Sequence, residues 1–219
     1  PSSSIQTGVL LATSSATIPL IEGTKSLKIT NGTSNSLTNV VGLWHLDETG
    51  GTGAYLHDST SNANHGTPNG TTLVKGISGK GRNFNGTSDY VDITNSTSLQ
   101  LTNNFTMEAW FYRNSDSGGF ERIISKSDST SYDYWMQIGS TDLATCGVTI
   151  AAGTNYSIST TIAIPTGNLI HLACTLNSSN SWSIYVNGAL NSTTSSGTAG
   201  AARTTTRNLN FGRLGSSGS

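Results

Sequence analysis

The chain has no apolar run near the roughly eighteen residues that a membrane-spanning helix needs, so it is not expected to enter a bilayer. Gly8 to Ala12 is apolar but far too short, and no charged start precedes it, so nothing reads as a signal peptide. Charge is equally scarce. Only 11% of residues are charged and the formal net charge is -1. No basic field is available to gather nucleic acid or anionic lipid, and nucleic acid is excluded as the main partner. Glutamate is confined to Glu22, Glu48, Glu108 and Glu121. No G-x-S-x-G elbow, phosphate-binding loop or dinucleotide fingerprint occurs. His45, His57, His65 and His171 do not converge as zinc ligands would have to. No window of a dozen residues shows helical periodicity. Cysteine is limited to Cys146 and Cys174, each in a strand-like run. A bond between them would contribute about 3 to 4 kcal/mol in the chain-entropy model. Two buried free thiols are the preferred expectation, because two cysteines fix no framework.

What is abundant is short, polar and β-branched. Ser and Thr together make up roughly three residues in ten, joined by 25 Gly. Such residues are poor helix formers and good strand or turn formers. The pattern therefore predicts an all-β chain, and 219 residues suit one β-sandwich with an N-terminal addition. Residues 1–39 carry weak apolar runs (Val9 to Leu11, Ile18 to Ile21, Leu27 to Ile29) and read as a strand or linker segment. Residues 40–219 read as the sandwich. Phe105, Met107, Ala109 and Phe111 alternate with Thr106, Glu108, Trp110 and Tyr112, which is strand period with large side chains on both faces. Asn187-Gly188 between two strand-like runs is a hairpin signal of the type I′ kind.

Val40 to Gly66 organises the rest: an apolar strand containing Leu43, Trp44 and Leu46, a glycine-rich break, and a polar loop from Asp58 to Gly66. The run G-L-W-H-L-D-E at 42–48, D-S-T-S-N-A-N-H-G at 58–66, F-N-G-T-S-D-Y-V at 84–91, F-T-M-E-A-W-F at 105–111 and Y-V-N-G at 185–188 resembles the laminin-G-like branch of the concanavalin A-like lectin/glucanase superfamily. The resemblance implies a two-sheet antiparallel β-sandwich of jelly-roll form. It also implies a closing strand, broadly aromatic-Gly-Ile-Asp-Glu-Val, where this chain reads Gly215-Ser216-Ser217-Gly218-Ser219. Three expectations follow, in order of preference. The native product continues further, a neighbouring chain donates the strand, or residues 5 to 30 fold back into the gap.

Two candidate sites stand out. Asp58, Asn62 and Asn64 supply carboxylate and amide oxygens of the kind calcium takes. The competing reading is an Asx-rich loop that satisfies its own backbone. Tyr132, Tyr134, Trp135 and Gln137, in Y-D-Y-W-M-Q, offer rings for the C–H faces of a sugar and an amide for its hydroxyls. Trp110 with Tyr112 is a further candidate platform, although Trp44, Trp110 and Trp182 are expected chiefly as core anchors. Glucanase relatives place their carboxylates on one strand as E-x-D-x-E or E-x-D-x-x-E, since side chains two apart share a face. No glutamate here begins that pattern, so a glycosidase of that type is not expected. The expected function is a non-catalytic recognition or adhesion module of an exported surface protein, binding glycan or a protein ligand, with structural calcium as an accessory. The alternative is a structural subunit of a virion or filament whose open sheet edge a neighbour completes.

Overall fold

A computed structural model describes residues 4–12, 39–77, 79–128, 132–194 and 201–215. The described chain is all-β, with a single 3-10 turn at Thr97–Leu99. Among these residues no helix is long and apolar enough to cross a membrane. Two antiparallel sheets face each other. The first contains β1 (Ser4–Ala12), β2 (Val40–Trp44), β4 (Thr72–Lys75), β5 (Lys80–Phe84), β7 (Phe105–Arg113), β12 (Leu169–Leu176), β13 (Trp182–Val186) and β14 (Ala189–Thr194). Its order is β14-β13-β12-β7-β1-β5-β4, with β2 also paired to β1. The second contains β3 (Gly66–Asn69), β6 (Tyr90–Ile93), β8 (Glu121–Ser127), β9 (Tyr132–Ile138), β10 (Ala144–Thr149), β11 (Asn155–Ser159) and β15 (Leu209–Phe211). Its order is β11-β10-β9-β8-β15-β6-β3. This is the expected two-sheet sandwich.

The alternation read in β7 holds. Phe105, Met107, Ala109 and Phe111 are buried between the sheets. Their neighbours on β12 match them in register, Leu176 with Phe105, Cys174 with Met107, Leu172 with Ala109 and Ile170 with Phe111. Large rings then tie the layers together. Phe105 meets Trp182 edge-on at 5.9 Å and Tyr134 at 5.9 Å, and Trp44 meets Phe211 edge-on at 5.3 Å. Edge-to-face pairs of this kind add a little to the free energy of burying the rings themselves. Trp44 and Trp182 are thus the expected core anchors. Trp110 is not one: it faces outward from β7 and packs on His171, with ring centroids 4.8 Å apart. The Asn187-Gly188 hairpin is as expected, with φ of 51° and 80° at its two central residues.

The N-terminal strand is where the sequence expectation changes. β1 lies inside the first sheet, paired along one edge with β7 from Ser4 to Ala12. Its other edge is shared: Ser4 to Gln6 pair with β5, and Val9 to Ala12 pair with β2. The least preferred of the three options, an N-terminal segment that folds back, is the one observed for residues 4–12. The runs at Ile18 to Ile21 and Leu27 to Ile29 lie outside the described residues. A strand hydrogen-bonded on both edges satisfies the peptide groups of β7, β5 and β2 at once, which is the constraint that edge strands otherwise fail.

The cysteines also depart from expectation. Cys146 on β10 and Cys174 on β12 form a disulfide, with Cα atoms 6.4 Å apart. It joins the second sheet to the first through the buried core.

Two outcomes test this architecture. Removing residues 1–12 should abolish cooperative thermal unfolding and expose dye-binding apolar surface; a truncated chain that melts like the parent would show β1 to be dispensable. Replacing both cysteines by alanine should lower stability by about 3 to 4 kcal/mol in denaturant titration. The denatured, unreduced parent should show no free thiol.

Candidate functional site

The polar loop after β2 is built around Asp58. Its Oδ1 accepts the Leu43 amide at 3.0 Å and the Thr60 amide at 2.9 Å. Its Oδ2 accepts the Thr60 hydroxyl at 2.8 Å and the Asn64 amide at 2.9 Å. Asn62 and Asn64 turn their side-chain NH2 groups onto the Val41 carbonyl at 2.9 and 3.2 Å. The Asn64 Oδ1 accepts Ser96 Oγ at 2.6 Å, and the Asn64 carbonyl accepts the Trp44 indole N–H at 2.8 Å. His65 Nδ1 accepts the Asp58 amide at 3.1 Å. Calcium needs six to eight oxygens with free lone pairs turned on one point. Here both carboxylate oxygens, the Val41 carbonyl and the Asn64 amide oxygen already receive protein donors. As folded, the donor set does not fit a calcium ion. Among the described residues there is also no group of three or more His, Cys, Asp or Glu placed to hold a metal. The arrangement is that of the self-satisfied Asx-rich loop.

The aromatic candidates divide. Tyr134 is fully buried between the sheets, where its hydroxyl donates to the Leu99 carbonyl at 3.2 Å. Burial pushes its phenol pKa well above the ordinary value. It takes no part in any surface. Tyr132, Trp135 and Gln137 gather on the outer face of the second sheet. Trp135 lies opposite Gly147 in the β9–β10 register, and a Cβ on Gly147 would stand 2.3 Å from the indole. Glycine there lets the ring lie flat on the sheet. Tyr132 packs on Trp135 with centroids 5.2 Å apart.

Arg122 and Phe120, unmarked by the sequence, extend this cluster. Arg122 pairs with Gln137 in the β8–β9 register and donates to the Gln137 Oε1. Its guanidinium sits 5.6 Å from the Tyr132 ring centroid and 5.0 Å from that of Phe120. Phe120 is 61% exposed. From Phe120 and Arg122 a shallow cleft of about 280 Å³ opens toward Thr87 and Arg213. Arg213 lies over the Tyr90 ring at 3.3 Å and donates to the Asn210 Oδ1 at 2.8 Å. Trp135 is only 6% exposed and Gln137 only 7%, so the ring surface open to a ligand is that of Phe120 and part of Tyr132. These rings and the Arg122 guanidinium, beside a polar cleft, can stack a sugar ring and bond its hydroxyls. The sequence hides it because it depends on a bulge between Arg122 and Ile124, which turns Arg122 to the side of Gln137.

The outer face of the first sheet carries Trp110, Tyr112, His171 and Glu108. Glu108 Oε2 stands 3.7 Å from His171 Nε2. β7 bears no second carboxylate, so the paired-acid geometry of retaining glycosidases is not built on this strand.

A family model described as the concanavalin A-like lectin/glucanases superfamily matches residues 85–219. The binding domain of Paraclostridial Mosquitocidal Protein 1 superposes with a TM-score of 0.63 at 14% identity, over 76% of this chain and 44% of that one. The binding domain of botulinum neurotoxin serotype G gives 0.55 at 15%, over 71% and 40%. Domain 4 of AbnA, a GH43 extracellular arabinanase from Geobacillus stearothermophilus, solved with arabinotriose, gives 0.55 at 18%, over 74% and 80%. The chain spans about two fifths of the length of the toxin binding domains it matches. At these identities the likeness is one of fold. No curated protein matches the sequence.

Replacing Asp58 by alanine leaves three amide donors without their acceptor in a buried loop. The expected cost is about 3 to 5 kcal/mol, read by denaturant titration. A chelator should leave the melting temperature of the parent unchanged; a clear fall on chelation would mean that the loop rearranges to hold a cation.

Proposed function

Because the chain belongs to the concanavalin A-like lectin/glucanases superfamily, we propose that it is a non-catalytic recognition module that binds glycan on the outer face of its second sheet. The observation that carries this reading is the group of Phe120, Arg122 and Tyr132, backed by the buried Trp135, beside the cleft at Thr87 and Arg213. Rings laid flat on a rigid sheet offer the stacking surface that pyranose or furanose C–H faces use, and the neighbouring guanidinium, amide and hydroxyl groups supply donors and acceptors for sugar hydroxyls. The complex of AbnA domain 4 with arabinotriose supports a saccharide over a protein ligand, since that domain shares the fold. The missing acid pair supports binding without hydrolysis.

Export is part of the same reading. Disulfides persist in oxidising compartments, and Cys146–Cys174 crosses the core. Calcium is left out, because the Asp58 loop already satisfies itself. Toward the structural-subunit alternative, β1 of the same chain already lies between β7 and β5, so no neighbour's strand is needed at that position.

Binding to an array of neutral and charged oligosaccharides, followed by titration of the hits, tests the proposal. Phe120→Ala and Tyr132→Ala should each weaken a hit at least tenfold while Trp110→Ala leaves it unchanged. Loss on Trp110→Ala alone would move the site to the first sheet. No binding of any saccharide would end the glycan reading.

A further inference from the structure

The same cleft holds a cation with no acidic partner among the described residues. Arg113 is bonded to Glu121, Asp116 and Asp142. Arg203 reaches Asp133 at 3.4 Å, Arg207 is bonded to Asp128, and Arg213 stands 3.5 Å from Asp92. Arg122 has instead the neutral Gln137 amide oxygen and two ring faces. Burial lowers its pKa from the ordinary value, with the Tyr132 phenol opposing the shift. A guanidinium that is partly desolvated and unneutralised is costly to hold unless an anion is meant to meet it. Other arginines on this chain show what such a group does when an acid is near.

Glu121 also lines the cleft, but Arg113 takes both of its oxygens, at 3.0 and 2.8 Å. Asp116 and Asp142, on the same arginine, are substantially exposed, and water and salt screen charges placed there. Across the cleft Arg213 adds a second guanidinium, 29% exposed and held in place by Asn210 and Tyr90. Arg213 already has Asp92 at 3.5 Å, so Arg122 is the cation left without an acid and Arg213 adds to the positive field across the cleft, whose lining carboxylate Glu121 is committed to Arg113.

We propose that the cleft between Arg122 and Arg213 receives an oxyanion carried on the bound saccharide, so that the ligand of this module is an acidic glycan. The inference rests on the glycan reading of the same face. A planar carboxylate fits the paired donors of a guanidinium best, and a sulfate group offers the same charge in tetrahedral form. Phe120 and Tyr132 would stack the sugar while Arg122 bonds its anionic group.

The test uses the intact chain with three probes: an oligogalacturonate, its methyl-esterified neutral form, and an O-sulfated galactan oligosaccharide. Calorimetric titration should show the acidic probe binding at least tenfold tighter than its ester, with an affinity that falls as salt is raised. A preference for the carboxylate or for the sulfate identifies which anion the cleft takes. Arg122→Gln should bring the affinities for acid and ester to within about twofold of each other, whatever it does to binding of the ester itself, and Arg122→Lys should restore only part of the acid-over-ester ratio. Arg213→Gln, at a site away from the ring ladder, provides a second variant should Arg122→Gln lower the melting temperature. Equal binding of ester and acid, or a charge preference that survives both glutamine variants, would overturn the acidic-ligand inference while the glycan reading stood. Failure of every probe, neutral forms included, to bind the parent would remove both.

Discussion

The Asp58 carboxylate is buried, and the fold can keep it there only by giving each of its oxygens two donors. Those donors come from β2 (Leu43) and from the loop itself (Thr60 and Asn64), and the Asn64 side chain is fixed in turn by hydrogen bonds with Ser96 and Ser98 at the 3-10 turn. An unpaired carboxylate in such a place would cost several kcal/mol, so the loop has little freedom to adopt another shape. The consequences spread outward. With the loop fixed, the Asn64 carbonyl meets the Trp44 indole, and Trp44 in turn meets Phe211 on the opposite sheet. Gly42 lies under the indole, where a Cβ would stand 2.1 Å from it, so the ring folds back along its own strand. One polar knot therefore sets the spacing between the layers at this end of the sandwich.

Much of this was legible in the sequence. The strand period of Phe105 to Tyr112, the Asn187-Gly188 hairpin and the ordered motifs from Gly42 to Gly188 carry the architecture, because they report local backbone preferences and a buried face. Residues whose role depends on distant pairing were not legible. β1 is a short run of mixed residues whose place is decided by two edges far along the chain. The Cys146–Cys174 bond depends on which strands face each other across the core. Tyr134 and Tyr132 are two apart on one strand, yet one is in the core and the other outside, because the end of β9 is irregular against Lys126 and Ser127. Arg122 gains its surroundings from a bulge. Period alone reports none of these.

The face proposed to bind glycan gains its rigidity from the sheet beneath it. Loops that bind ligands have to be ordered on binding, at an entropic cost. Here Trp135 is fixed on Gly147 and Tyr132 on Trp135, while Arg122 is held by register against Gln137. The rings are in place before a ligand arrives. The cleft beside them is shallow, which suits a short segment of a longer chain better than an enclosed small molecule.

The position of β1 has a further consequence for how the molecule forms. β2 follows at residue 40, but the partners of β1 in β5 and β7 begin only at residues 80 and 105, so the edge shared with β7 and part of the other wait for strands made much later. Closure of so large a loop precedes its reward in hydrogen bonds, and sheets of this connectivity fold slowly. Until then β7, β5 and β2 present unpaired edges, the state in which β chains associate wrongly. A route that keeps the chain extended until its synthesis is finished, as translocation across a membrane does, would let the first strand and its late partners meet in a single event.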